Sequence, residues 1–232
     1  MSQNNSSYHI ATQLIHAGVE PDKETGAIMT PIYQTSTFAQ SAPGEHKGYD
    51  YSRAGNPTRT ALESALAAIE KGAYGLAFSS GVAATDAVIK LLHPGDEVIA
   101  ASDMYGGTYR LFSKVFEKFG IKFHYVDMKN AENIRPLINH KTKLIWTETP
   151  TNPLINITDI KAVAVLAKSC GAWLCVDNTF ASPYLQNPLE WGADIVLQSA
   201  TKYLGGHSDV VLGALLVNDK NLYDQLYFIQ KS

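Results

Sequence analysis

Cysteine is scarce in this chain: two residues in 232, Cys170 and Cys175. Their spacing fits neither a Cys-x-x-Cys redox pair nor a zinc knuckle, so both read as reduced packing residues. The seven histidines contain no His-x-x-x-His pair, and a structural metal is not indicated. No apolar run approaches the length of a membrane span. A net charge of −3, with both signs interspersed and no basic block, makes nucleic acid and anionic membrane surfaces poor partners. Neither Gly-x-Gly-x-x-Gly nor Gly-x-x-x-x-Gly-Lys-Ser/Thr occurs, which weakens dinucleotide and nucleoside-triphosphate readings. The polar start, Met1 to Ser7, has no basic segment followed by an apolar one, so no secretory signal is expected and a cytoplasmic location is.

What is present is enough for one sizeable core, at 45% hydrophobic residues. Residues 1–56 show little periodicity and many breakers, among them Pro21, Pro31, Pro43 and Gly55. Their aromatics (Tyr33, Phe38, Tyr49, Tyr51) argue against plain disorder, and the stretch reads as an arm packed across a subunit interface. From Asn56, an N-cap followed by Pro57, the pattern changes. Strands are expected at 75–78, 97–101, 123–126, 144–147, 173–176, 195–197 and 212–217. Helices fall between them: 81–92, one marked by Phe112, Val115, Phe116 and Phe119, a short one at 130–138, one from Ile160 capped by Thr158, and a last one from Asp219. Such alternation implies an α/β fold over 57–232, a mostly parallel sheet with helices on both faces.

Ligands of open parallel sheets bind outside the carboxyl ends of the strands, and the unusual residues gather there. Ser79-Ser80-Gly81-Val82 opens a helix whose free N–H groups suit a phosphate. Tyr105 stands beside Gly106-Gly107, as a ring stacked on a planar ligand would, or as a cap on the sheet edge. Glu148-Thr149-Pro150-Thr151-Asn152-Pro153 is a stiff turn that fixes the direction of the Asn152 amide. Asp177 ends a strand, as partner to a pyridine nitrogen, a helix cap or an ion-pair partner. Lys202 follows Ile195-Val196-Leu197, between hydroxyl side chains and a glycine pair. A desolvated amine there would be a Schiff-base lysine, although many strand-end lysines extend to water. Lysine and buried carboxylate together are the minimum equipment for pyridoxal phosphate.

These runs, with Tyr51-Ser52-Arg53-Ala54-Gly55-Asn56-Pro57-Thr58, Tyr105-Gly106-Gly107-Thr108 and Asp177-Asn178-Thr179-Phe180, follow one another in unbroken order. Together the chain resembles the cysteine/methionine-metabolism family of fold-type I pyridoxal-phosphate enzymes, which includes cystathionine γ-synthase, γ-lyase and β-lyase. The resemblance implies that Lys202 carries the cofactor and moves protons, and that Asp177 pairs with the ring nitrogen. It implies that Tyr105 stacks on the ring and Asn152 lies near the phenolic oxygen. Gly81, Val82, Ser199 and Thr201 would hold the phosphate, while Tyr51 and Arg53 would reach the phosphate of a neighbouring subunit's cofactor, in a dimer or dimer of dimers. Arg53 suits that role because its fork holds two oxygens.

Two departures stand out. Val82 replaces the family's usual methionine, at a position where the backbone N–H is what a phosphate would use. The ending, Leu226 to Ser232, looks like the helix leading toward a C-terminal domain that carries the arginine for the substrate's carboxylate; that domain is expected to be absent. Gly107, where methionine γ-lyases have cysteine, argues against that member. The expected activity is formation or cleavage of a carbon–sulfur bond in cystathionine, a related sulfur amino acid or an activated homoserine, of γ-synthase or γ-lyase type. The alternatives are a β-lyase and a cofactor-binding remnant without activity.

Overall fold

The structure, a computed structural model, describes residues 8–232. The expected arm is therefore seen from Tyr8 onward; residues 1–7 lie outside the described residues. It is not wholly irregular. Helix α1 (Ile10–His16) packs on α2 (Pro57–Ile69), and a bridge joins Thr37 to Tyr51. Much of the arm is nonetheless unburied: Ile28, Met29 and Ile32 are 71, 73 and 84% exposed, so this domain is not what they pack against.

Beyond Asn56 the chain alternates as expected. The strands are β1 (Tyr74–Phe78), β2 (Glu97–Ala101), β3 (Lys122–Val126), β4 (Thr142–Glu148), β5 (Trp173–Asp177), β6 (Ile195–Gln198) and β7 (Gly213–Val217). Among the described residues they form one sheet in the order β1-β7-β6-β5-β4-β2-β3, parallel from β3 to β6, with β7 antiparallel to both its neighbours. Every residue of β2, β5's last four and all of β6 and β7 are buried, which is why these runs are apolar throughout rather than alternating.

Two sets of helices cover the two faces. Ala84 and Val88 of α3 (Gly81–Ile89), Phe112 of α4 (Gly106–Lys114), and Leu222 and Leu226 of α7 (Lys220–Lys231) join a cluster with Val98, Leu144, Trp146 and Leu215. On the opposite face, α5 (Ile160–Cys170) packs Val163 and Ala167 against Ile99, Ile145 and Leu174, and α2 packs Leu66 and Ile69 against Val196 and Leu216. The short α6 (Ser182–Leu185) follows β5. Among the described residues, no helix is long and apolar enough to cross a membrane.

Of the two caps read from the sequence, Asn56 holds and Thr158 does not. Asn56 accepts the Thr58 N–H (2.9 Å), Asp219 caps α7, and Ser80 caps α3 by accepting from Ala83 (3.0 Å). For α5, however, the cap is Asp159, which accepts from Ala162; Thr158 instead donates its N–H to Thr149 Oγ1 (3.0 Å). The helix expected around Phe112–Phe119 is α4 followed by a tighter turn at Phe116–Phe119, and the one at 130–138 is wholly 3₁₀, with Pro136 inside it. Proline removes the N–H an α-turn needs there.

Candidate active site

A cavity of ≈ 260 Å³ opens where the carboxyl ends of β4, β5 and β6 meet the start of α3. Gly81, Val82, Tyr105, Asn152, Asp177, Ser199, Thr201 and Lys202 all border it, and so do Glu148 and Thr179. Eight of the ten expected site residues are thus brought together. Tyr51 and Arg53 are not among them: Arg53 donates to the backbone carbonyl of Lys231 and lies 5.4 Å from the Tyr51 ring centre.

Each wall follows from local chemistry. The first N–H groups of α3 have no acceptor inside the helix, and the helix dipole makes that end positive. Gly81 permits the close approach of this turn to β6, since a Cβ on it would stand 2.7 Å from Ser199 Cβ. Gly213 does the same for β7, where a Cβ would stand 2.0 Å from the Ser80 carbonyl oxygen. Thr201 is tied to the strand behind it: its Oγ1 accepts from Leu212 N (2.9 Å) and lies 3.2 Å from Leu212 O.

Asp177 is buried at the end of β5. Its Oδ1 accepts from both Thr179 N (3.1 Å) and Thr179 Oγ1 (2.6 Å), and that hydroxyl accepts in turn from Ser199 N (2.9 Å). Oδ2 takes no hydrogen bond among the described residues, in a side chain that faces the cavity. Glu148, opposite Asp177 on β4, is the functional group sequence reasoning passed over. It was visible as an ionisable residue at a strand end. Its Oε2 accepts the Tyr105 N–H (2.7 Å), so it fixes the start of the Tyr105 segment. Burial first, and then the Asp177 charge, push the Glu148 carboxyl well above the usual carboxylate range; burial pushes Asp177 up as well, against the two Thr179 bonds. Asp103 accepts from Thr151 Oγ1 and from Asn156 Nδ2 (3.1 Å), pinning the turn that carries Asn152.

One expectation is corrected. Lys202 is exposed rather than desolvated. It sits four residues past the end of β6, in a turn where Tyr203 (65%) and Val211 (66%) are also exposed, and none of the described residues buries its side chain.

A helix start with free N–H groups, an open buried carboxylate and a lysine around one strand-end cavity are the features of a pyridoxal-phosphate type of site. The model of the Cys/Met metabolism PLP-dependent enzymes matches residues 11–232, and the chain belongs to that family. It is 51% identical over 225 residues to the probable cystathionine gamma-synthase of Herpetosiphon aurantiacus, covering 97% of this chain and 70% of that protein. It is 52% identical over 223 residues to the cystathionine beta-lyase of Lactococcus lactis subsp. cremoris, covering 96% of this chain and 59% of that one. The solved cystathionine gamma-lyase of Lactobacillus plantarum, complexed with L-serine, superposes with a TM-score of 0.94 at 47% identity, over 97% of this chain and 58% of that chain. The chain thus spans about three fifths of the length of the last two. Three differently named activities lie within a few per cent of one another in identity, so identity does not choose among them.

The family's cofactor is pyridoxal 5′-phosphate, and the residues present fit it. The unbonded Asp177 oxygen suits a ring N–H, and the start of α3 suits a phosphate.

Proposed function

We propose that this protein is a pyridoxal-phosphate-dependent enzyme of transsulfuration that forms or cleaves a carbon–sulfur bond in cystathionine or a related sulfur amino acid, of γ-synthase or γ-lyase type. The observation that carries the reading is Asp177: a buried carboxylate with one oxygen satisfied twice and the other open to the cavity. Bound there, pyridoxal phosphate supplies an electron sink conjugated to the substrate's α-carbon. Asp177 Oδ2 accepts a hydrogen bond from the ring nitrogen, while Thr179 holds Oδ1. The backbone N–H groups of Gly81 and Val82, with Ser199 and Thr201, bind the phosphate. Tyr105 lies against the ring, and Asn152 addresses its phenolic oxygen. Lys202 Nζ anchors the cofactor and then takes and returns the substrate's α-proton.

Residues 1–56 serve as an arm and 57–232 as the cofactor-binding domain. Tyr51 and Arg53 complete the phosphate site of a neighbouring copy; the exposed Ile28, Met29 and Ile32 support that self-association. A cytoplasmic location is supported by two cysteines that form no disulfide. A β-lyase activity is the second reading, favoured by the 52% identity to the Lactococcus protein. The test is incubation of the purified chain with pyridoxal phosphate and cystathionine. Release of 2-oxobutyrate supports the γ-type reading and pyruvate the β-lyase. Failure to bind pyridoxal phosphate, read as absence of a new visible absorbance band, sinks both.

A further inference from the structure

Behind the cavity, at the carboxyl end of α2, lies a carboxylate that the functional reading leaves without a role. Glu70 is 0% exposed, and its partners are amides rather than cations. Asn178 Nδ2 reaches both its oxygens (3.0 and 3.2 Å), and Gln198 Nε2 donates to Oε1 (2.6 Å). The place is unfavourable three times over: burial, no counter-charge among the described residues, and an acid at the negative end of a helix. Burial pushes its carboxyl up to about 7. Such a group persists where its hydrogen bonds are saturated and directional.

They are. Asn178 Nδ2 also donates to the Gln186 carbonyl (3.1 Å), and Gln198 Nε2 to the Asn178 carbonyl (3.0 Å). Gln186 Nε2 donates to Asn178 Oδ1 (2.7 Å) and to the Thr149 carbonyl (2.7 Å). Each of the three amide nitrogens is therefore used on two acceptor groups, Asn178 Nδ2 on the Glu70 carboxylate and the Gln186 carbonyl. Three of the residues so joined are the immediate neighbours of cavity residues: Thr149, held at its carbonyl, follows Glu148; Asn178, held at its carbonyl and amide, follows Asp177; and Gln198, held by its side chain, precedes Ser199.

We propose that Glu70 is a positioning residue for the cofactor: through Asn178, Gln198 and Gln186 it sets the spacing of the three strand ends that present Glu148, Asp177 and Ser199 to the cavity. The proposal rests on the reading that this cavity takes pyridoxal phosphate. Glu70→Gln keeps an acceptor at the Oε1 position only by placing its N–H₂ where Oε2 meets Asn178 Nδ2 (3.2 Å), so donor faces donor and the strand ends must shift to relieve it. Gln186→Met is a milder cut at the far end of the same network. Lys71→Met is the control: Lys71 Nζ bonds Gln13 Oε1 (2.9 Å), outside the network, and its loss destabilises the same end of α2.

The experiment is titration of the full chain and the three variants with pyridoxal phosphate, recording the dissociation constant, the position of the visible band at saturation and the melting temperature. Glu70→Gln and Gln186→Met are expected to weaken binding by about tenfold, the order set by one unsatisfied buried polar group, and to shift the band at saturation. Lys71→Met should lower the melting temperature and leave binding and band alone. Normal binding and an unchanged band in Gln186→Met and in whichever form of Glu70→Gln folds overturn the proposal. So does a Lys71→Met variant that reproduces the changes, since the effect is then general destabilisation. A wild-type chain that takes up no pyridoxal phosphate overturns the functional reading, and this proposal with it.

Discussion

Glu148 and Asp177 face each other across β4 and β5 at the mouth of one cavity, both buried, with no cation paired to either among the described residues. Two carboxyls so placed divide the work. Glu148 is committed to the Tyr105 N–H, which leaves the open oxygen of Asp177 for a ligand that brings a positive charge. A positively charged ring N–H answers both the burial and the repulsion, and this is the physical reason the site suits a pyridine rather than another anion.

The pair makes a prediction about pH. Burial raises the carboxyls of Glu148, Asp177 and Glu70, the last to about 7. Amides face Glu70, while Asp177 and Asp103 face Glu148. Between the ordinary carboxylate range and the raised values, the folded chain holds more protons than the unfolded one. Stability therefore falls as pH rises through that window. Carboxyls held low, such as Asp127 and Glu132, act below it. The cofactor-free chain should melt at a higher temperature near pH 5 than near pH 8, and Glu148→Gln should flatten the slope. A melting temperature that rises over that range contradicts the assignment.

Thr179 tests how Asp177 is held. Its hydroxyl donates to Asp177 Oδ1 and accepts from Ser199 N. Thr179→Val keeps the shape but strips both bonds, leaving the Ser199 N–H unpaired and raising the Asp177 carboxyl further. A loss of about 1–3 kcal/mol in chemical denaturation is expected, with weaker pyridoxal-phosphate binding. Thr179→Ser, which retains the hydroxyl, should restore most of both.

Much of this was legible in the sequence, for identifiable reasons. Strands such as Glu97–Ala101 appeared within a residue because buried parallel strands are continuous apolar runs bounded by turns. Asp177 stood out as a charge ending such a run. Helix α1 did not, because seven residues are too short a window for a period to stand out, and its apolar side, with Leu14 and Ile15, faces outward. The exposure of Lys202 was also invisible, since it depends on how the 203–211 loop lies rather than on any local pattern. The Glu70 network joins residues 70, 149, 178, 186 and 198, and no spacing rule links positions so far apart.

Gly213 carries a sharper test of packing. A Cβ there would stand 2.0 Å from the Ser80 carbonyl, the acceptor of the Ala84 N–H at the start of α3. Gly213→Ala must push β7 and α3 apart. An overpacking loss of about 1–3 kcal/mol is expected, with weaker pyridoxal-phosphate binding because the helix start moves. Unchanged stability in a denaturant titration would show that the two elements are not in this contact.

Lys202 separates chemistry from folding. Being exposed, it makes little contribution to the core, so Lys202→Ala should change stability by no more than about 0.5 kcal/mol. The same substitution should abolish covalent attachment of the cofactor. After borohydride reduction with pyridoxal phosphate, the wild-type chain should carry a pyridoxyl label on the peptide containing Lys202, located by mass spectrometry. The variant should carry none there, although the cavity proposed to take the ring and phosphate is intact. A label retained at another lysine at full stoichiometry would move the anchoring role away from Lys202. With Asp177 unaltered, weakened but measurable non-covalent binding is the expected residue of the site, because the proposed anion-binding contacts come from the start of α3 and the proposed ring-nitrogen contact from the end of β5.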